Sequence, residues 1–382
     1  MSPSFDVSAA TIFVTLAGSQ AHGTARDGSD VDLRGICVAP LEARVSLFTT
    51  FEQHEGPLQG ALWDGVHAKL VAHPTASRGL AVNVESVVYD IAKFLRLCAA
   101  ANPNALELLF ADEADWVFET PVFRTLHAER RRFLSKKTQQ TYLGYALAQL
   151  RKIRAHRSWL LHPPGAQPTR EEHGLPPEGA LGREDQHRLE QAIAERVRSY
   201  GVETVEMPRA TRIAVIDRLE AFYRDTLVRD DDDDVAEGLR ATAVKGLSLP
   251  EEVVAALAAE RRYRTASRHY QSYQTWKAER NPARAALEAV HGYDTKHAMH
   301  LLRLMRTGLE LLETGELRVR RPDAGELHAV RNGALSYDQL LEQAEALEVR
   351  MKAAAKTSFL PKDVDLAFVE ALSFSVIEGA LR

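Results

Sequence analysis

"LAGSQAHGTARDGSDVDLRG" (residues 16–35) decides how this chain is read. The run before it, "TIFVTLA" (11–17), is rich in β-branched residues and stops at Gly18, which predicts a buried strand. A glycine-serine pair follows, then ten residues, then Asp30 and Asp32 one residue apart. In "VDLRGICV" Val31 and Leu33 point to one face of a strand, and Asp30, Asp32 and Arg34 to the other. A polar hairpin would carry such a pattern; so would a metal site for phosphoryl chemistry. A triphosphate must be neutralised and aligned for in-line attack. Mg²⁺ takes hard oxygen ligands and keeps some of its waters, so a few carboxylates suffice. Two aspartates at i and i+2 on a strand lie ~6–7 Å apart on one face, a spacing that bridges one metal or holds two. Gly18 would let the backbone approach phosphates closely, and Ser19 offers hydroxyl and amide donors. The two-metal arrangement needs a third carboxylate from a neighbouring strand, and "LAVNVE" (80–85) offers Glu85 on the face it shares with Asn83.

The 382 residues are 45% hydrophobic and 26% charged with a net charge of −5, so no global basic field advertises a nucleic-acid partner and any such surface is local. Cys37 and Cys98 form no disulfide framework and lack metal-ligand spacing, which fits a reducing compartment. "AATIFVTLAG" has no Lys or Arg before it, and no stretch reaches about 18 unbroken apolar residues. The expectation is a cytoplasmic protein without a membrane partner.

Along the chain, "SVVYDIAKFLRLCAA" reads as a helix capped by Ser86, and "NPNALELLF" as a second with Asn102 as cap and Pro103 at its first position. Residues 1–120 therefore form the expected catalytic α/β domain. Residues 121–382 read as mostly helical, loop-rich over 160–250, with "RDDDDD" (229–234) as a solvated acidic connector. The pentad Asp230 to Asp234 lacks the alternating ligands and glycine turn of a calcium loop. Residues 281–312 read as helix, interrupted at Gly292 and capped again by Asp294.

The Gly-Ser and Asp-x-Asp pattern resembles the DNA polymerase β nucleotidyltransferase superfamily. "GSQAHGTARDGSDVDLRG", "KFLRLCAAANPNALELLF", "GYDTKHAMHLLRLMRTGLELLETGEL" and "KTSFLP" together are similar to a bacterial and phage nucleotidyltransferase family that includes members associated with RNA-ligase repair operons. The resemblance implies an α+β fold, a polymerase β-like mixed-sheet core with a helical C-terminal region. It maps the family's Gly-Ser onto Gly18 and Ser19, its paired aspartates onto Asp30 and Asp32, and its third acidic position onto Glu85, where Asp is more usual.

Further candidates surround this core. Arg34 either holds a phosphate or orients Asp32, and His22 either contacts nucleotide or makes a structural hydrogen bond. Lys93 lies eight residues past Glu85, on a face shared with Tyr89 and Arg96, and is a nucleotide contact or a solvated lysine. Glu107, a lone charge in an apolar stretch, reads as a salt-bridge partner. Lys296, His300 and Arg303 recur at i, i+4 and i+7, a cationic stripe able to close over a triphosphate. Two basic patches are candidate RNA contacts: Arg130, Arg131, Arg132, Lys136 and Lys137, and the aromatic-interleaved stretch from Arg261 to Lys277. In the second, Tyr270, Tyr273 and Trp276 equally suit helix packing.

The reading is a metal-dependent nucleotidyltransferase. Asp30, Asp32 and Glu85 would hold Mg²⁺ or Mn²⁺, and Gly18, Ser19, His22, Arg34, Lys93, Lys296, His300 and Arg303 would bind an NTP such as ATP. The leading acceptor is an RNA end. Transfer to a protein or small molecule, and a non-catalytic nucleotide-binding regulator, are the alternatives.

Overall fold

The structure, a computed structural model, describes residues 5–46, 50–179, 181–228 and 234–381. Within these the chain divides into two compact units: one runs to Leu160 and resumes at Pro282, and the other spans Leu161–Asn281. The division does not fall at residue 120, because helix Thr138–Leu161 and the helices after Pro282 share one core with the N-terminal sheet.

That sheet has five strands, β1 Thr11–Leu16, β2 Val31–Cys37, β3 Gln53–Glu55, β4 Val84–Asp90 and β5 Trp116–Glu119, in the order β3-β4-β2-β1-β5. Only β2 and β4 pair in parallel, so the sheet is mixed. Strand alternation sorts its residues onto two faces. Val14, Leu16, Val31 and Leu33 pack in a core with Val66 and Leu70 of helix Gly60–Ala72. Phe13 and Ile36 join the larger core, with Phe94 and Leu95 of helix Ile91–Ala99 and Leu301 and Leu304 of helix Thr295–Thr314. Asp32 and Arg34 alternate with Leu33 on β2, so they share the Ile36 face, on the side of the C-terminal helices.

The expected boundary between strand and helix after Glu85 moves. Ser86 lies inside β4, and Asp90 caps the helix, its Oδ2 accepting from Ala92 N at 2.8 Å. Ser-Val-Val-Tyr is β-branched and aromatic enough to extend the strand, and β2 pairs with it residue by residue from Val31–Val84 to Cys37–Asp90. Asn102 caps helix Pro103–Leu109 and Asp294 caps helix Thr295–Thr314, both as expected.

The second unit corrects the loop-rich reading of 160–250. Helices Arg183–Ser199, Arg209–Val228 and Asp234–Leu247 occupy most of it and pack, with helix Glu251–Ala278, around Leu189, Ile193, Tyr223, Leu227, Val253 and Leu257. Ion pairs one turn apart, Arg188–Glu184 and Arg224–Glu220, support these polar helices. Of the acidic connector, residues 229–233 lie outside the described residues, and Asp234 opens the next helix. No helix among the described residues is long and apolar enough to cross a membrane.

Candidate active site

The chain leaves β1 at Leu16 and turns into the five-residue helix Gly18–His22. Gly18 adopts φ +58°, and a Cβ added there would collide with Oδ2 of Asp32. The glycine is therefore required twice, for its left-handed backbone and for the carboxylate that lies against it. Ala17 N donates to Asp32 O at 2.8 Å, which fixes β2 beside this turn. Thr24 N donates to Ser19 O at 2.9 Å, and Gly23, at φ +72°, ends the helix.

Asp32 opens onto a cleft of about 630 Å³ between the sheet face and the C-terminal helices, a volume typical of ligand sites. Gly18, His22, Asp32, Arg34, Lys296, His300 and Arg303 line it, so the structure brings most of the expected residues together. Arg34 Nη2 stands 3.8 Å from Asp32 Oδ1, and its Nη1 donates to Leu33 O. Asp30 precedes β2 and is exposed; its charge still reaches across the cleft, raising the affinity of Lys296 for its proton. Glu85 is the register partner of Asp32 on β4, so both carboxylates leave the sheet on one face. Glu85 is exposed, accepts from Asn83 Nδ2 at 3.0 Å, and stays outside the cleft lining.

Three expectations change. Lys93 does not face the cleft: it pairs with Glu52 at 3.1 Å, because Tyr89 belongs to β4 and the helix carrying Lys93 starts later than the sequence suggests. Arg303 is buried, and its guanidinium is consumed by Glu107 Oε1, while Glu107 Oε2 meets His22 Nε2 at 2.9 Å. Burial alone would raise the Glu107 carboxyl, yet Arg303 and His22 together hold it down at about 2. Burial and then Arg303 lower the His22 imidazole. Finally, His300 contributes no positive charge to the stripe. Burial, then Arg303, His22 and Lys296, push its pKa down to about 2, so it lines the cleft as a neutral ring. Lys296 is itself lowered, by desolvation first and then by Arg284 and Arg331.

The buried trio has a mechanical consequence. Glu107, from helix Pro103–Leu109, grips His22 at the end of the Gly18–His22 turn, and Arg303, from helix Thr295–Thr314, holds Glu107 in turn. Arg321 N adds a bond to His22 O at 3.1 Å. Gly18 and Asp32 are thus held by the C-terminal helices as well as by the sheet.

Sequence reasoning missed the far wall, Lys152, Arg284 and His297 with the neutral Asn104, Tyr145 and Gln149, and missed Tyr89 in the lining on the sheet side. They come from separated segments, and no spacing links them. His297 Nδ1 meets Gln149 Oε1 at 2.7 Å. Among the described residues the metal-ligating group whose donor atoms all lie within 4.8 Å of one another is His156, Asp294 and His297, rather than Asp30, Asp32 and Glu85. Asp294 is already engaged there by His156 Nδ1 at 2.9 Å and by the Arg284 guanidinium, besides capping its helix. A carboxylate neutralised in this way is a hydrogen-bond hub.

The two basic patches are partly committed to packing. Arg132 lies over the Phe368 ring and Lys137 pairs with Asp363 at 3.0 Å. On helix Glu251–Ala278, Tyr273 is buried near Trp276, and Arg264 pairs with Glu260.

Residues 5–160, which hold all five strands, match the family model described as "RlaP: RNA repair pathway DNA polymerase beta family". No curated protein and no solved structure matches the chain.

Proposed function

We propose that the chain, whose residues 5–160 match the model of an RNA repair pathway DNA polymerase beta family, transfers an NMP from an NTP to an acceptor hydroxyl, with an RNA end as acceptor. The observation that carries this reading is Asp32, seated against Gly18 at a cleft whose opposite wall presents Lys296, His300 and Arg303. A carboxylate on the sheet side facing Lys296, with Lys152 and Arg284 also in the lining, suits a substrate that arrives as a polyanion and reacts at phosphorus.

The donor set fits Mg²⁺ or Mn²⁺: Asp30, Asp32 and Glu85 supply only hard carboxylate oxygens, and the Asp32–Glu85 register starts two of them from adjacent strands on one face. Bound there, the metal would neutralise the triphosphate and acidify the attacking hydroxyl. The remaining work belongs to the chain. Gly18 lines the cleft, so its backbone would approach the phosphates beside Asp32, while Ser19, expected to help, lies outside the lining. Lys296 offsets charge on the leaving pyrophosphate. His22, Glu107 and Arg303 act as positioning residues that hold the turn in register with β2.

RNA as acceptor is supported by the printed description of the matching family and by the exposed cations near Arg131 and along helix Glu251–Ala278. The test is transfer of label from each α-labelled NTP, with Mg²⁺ or Mn²⁺, into a mixed RNA pool and in parallel into protein and small-metabolite pools. Label entering RNA, and lost on replacing Asp30 and Asp32 together by Ala, is the expected result. Label entering protein or a metabolite alone would transfer the reading to the second acceptor class. Metal-dependent NTP binding without transfer into any pool would contradict catalysis and favour a regulator.

A further inference from the structure

Beside its charged residues the cleft carries a neutral patch. Tyr145 and Gln149 stand one helical turn apart on helix Thr138–Leu161, so they share a face, and Asn104 sits in the first turn of helix Pro103–Leu109. Tyr145 is 38% exposed, with its far end held by a hydrogen bond. Asn102 Nδ2 donates to its hydroxyl at 2.7 Å. Asn102 is itself fixed, because its Oδ1 caps the helix through Asn104 N at 3.0 Å and Ala105 N at 3.3 Å. The ring is thus oriented before any ligand arrives, which removes the entropic cost of ordering it on binding.

The amides beside it have capacity to spare. Gln149 Oε1 is taken by His297 Nδ1, which leaves its Nε2 donors for the cleft. The Asn104 side chain has no hydrogen-bond partner among the described residues and offers both a donor and an acceptor. An anchored aromatic face beside unspent amides is the chemistry that recognises a heterocyclic base, by stacking on its ring and hydrogen bonding to its edge.

We propose that Tyr145, with Asn104 and Gln149, forms a nucleobase subsite of this cleft. The proposal rests on the nucleotidyl-transfer reading and adds where a base is held. The base belongs either to the incoming NTP or to the terminal nucleotide of the acceptor.

Binding of each Mg–NTP, of inorganic tripolyphosphate and of a short RNA oligonucleotide is measured for the wild type, Tyr145→Ala and Tyr145→Phe. Tyr145→Ala is expected to weaken nucleotide binding by roughly tenfold or more, the size of one base–aromatic stack. Tripolyphosphate, which has no base, binds unchanged and certifies that the variant is folded. Tyr145→Phe keeps the ring and retains most of the affinity, and Asn104→Ala changes the ranking of the four NTPs. A loss confined to the NTP arm assigns the incoming base; a loss confined to the RNA arm assigns the acceptor's. Equal binding of NTP and RNA by the wild type and Tyr145→Ala overturns the subsite, even where label transfer is intact. A Tyr145-dependent NTP affinity in a protein that transfers no label would keep the subsite and overturn the transfer reading instead.

Discussion

Gly18 joins the sequence motif to the chemistry. A glycine before a serine at the end of a strand is legible as a phosphate approach. The structure adds that the space a Cβ would fill is taken by Asp32. Gly18→Ala should therefore leave the protein folded and still displace the Asp32 carboxylate. Misplacement of a reacting group by about 1 Å costs on the order of a hundredfold in rate, and a loss of that size in kcat is the expected outcome. Circular dichroism and urea unfolding run alongside would show a native-like fold, and an unchanged kcat would contradict the reading. Glu85 was legible only in part. Alternation places a strand over 80–85, whereas β4 runs Val84–Asp90; the register of Glu85 with Asp32 and its hydrogen bond to Asn83 depend on tertiary pairing and a rotamer that no pattern encodes.

Helix Thr295–Thr314 carries both an expectation that held and one that failed. The period of Lys296, His300 and Arg303 correctly puts them on one face toward the cleft. Their charge states did not follow, because burial and mutual repulsion are set by neighbours distant in sequence. Arg303 meets Glu107 from 196 residues away, and His300 is crowded by Arg303, His22, Lys296 and His297. This crowding has a signed consequence for stability. The folded-state pKa of His300 is about 2, below its ordinary 6.5. Between those values the unfolded chain binds the extra proton, so acid favours unfolding and stability falls as pH drops below 6.5. Glu107, held at about 2 against an ordinary 4.5, acts in the same direction below pH 4.5. Urea unfolding at pH 7 and pH 5 should show the wild type losing stability. His300→Gln should lose less, the difference approaching at most about 1.4 kcal/mol per pH unit for one proton. Equal losses in both proteins would show that His300 titrates normally.

Across the whole molecule, the sheet was the most legible part. The β-branched run at 11–17 and the alternation from Val31 led to β1 and β2, and the mixed sheet they form with β4 carries the carboxylates. Cooperation between distant segments was not legible: nothing in residues 1–120 reveals that their large core is completed by helices after Pro282. The same limit hid Lys152, Arg284 and Tyr145, whose places in the cleft depend on tertiary packing alone. The helices between 183 and 247 were obscured by polar composition and by the proline-rich stretch before them.

The central claim is nucleotidyl rather than phosphoryl transfer, and the fate of the two ends of the triphosphate separates them. The decisive measurement supplies NTP labelled at the α or the γ phosphorus, with Mg²⁺ and an RNA pool, to the wild type and to Asp32→Asn. The account predicts that α-label becomes joined to acceptor, γ-label leaves as pyrophosphate, and both processes stop in Asp32→Asn. Transfer of γ-label to the acceptor, or α-label transfer that persists in Asp32→Asn, would contradict it.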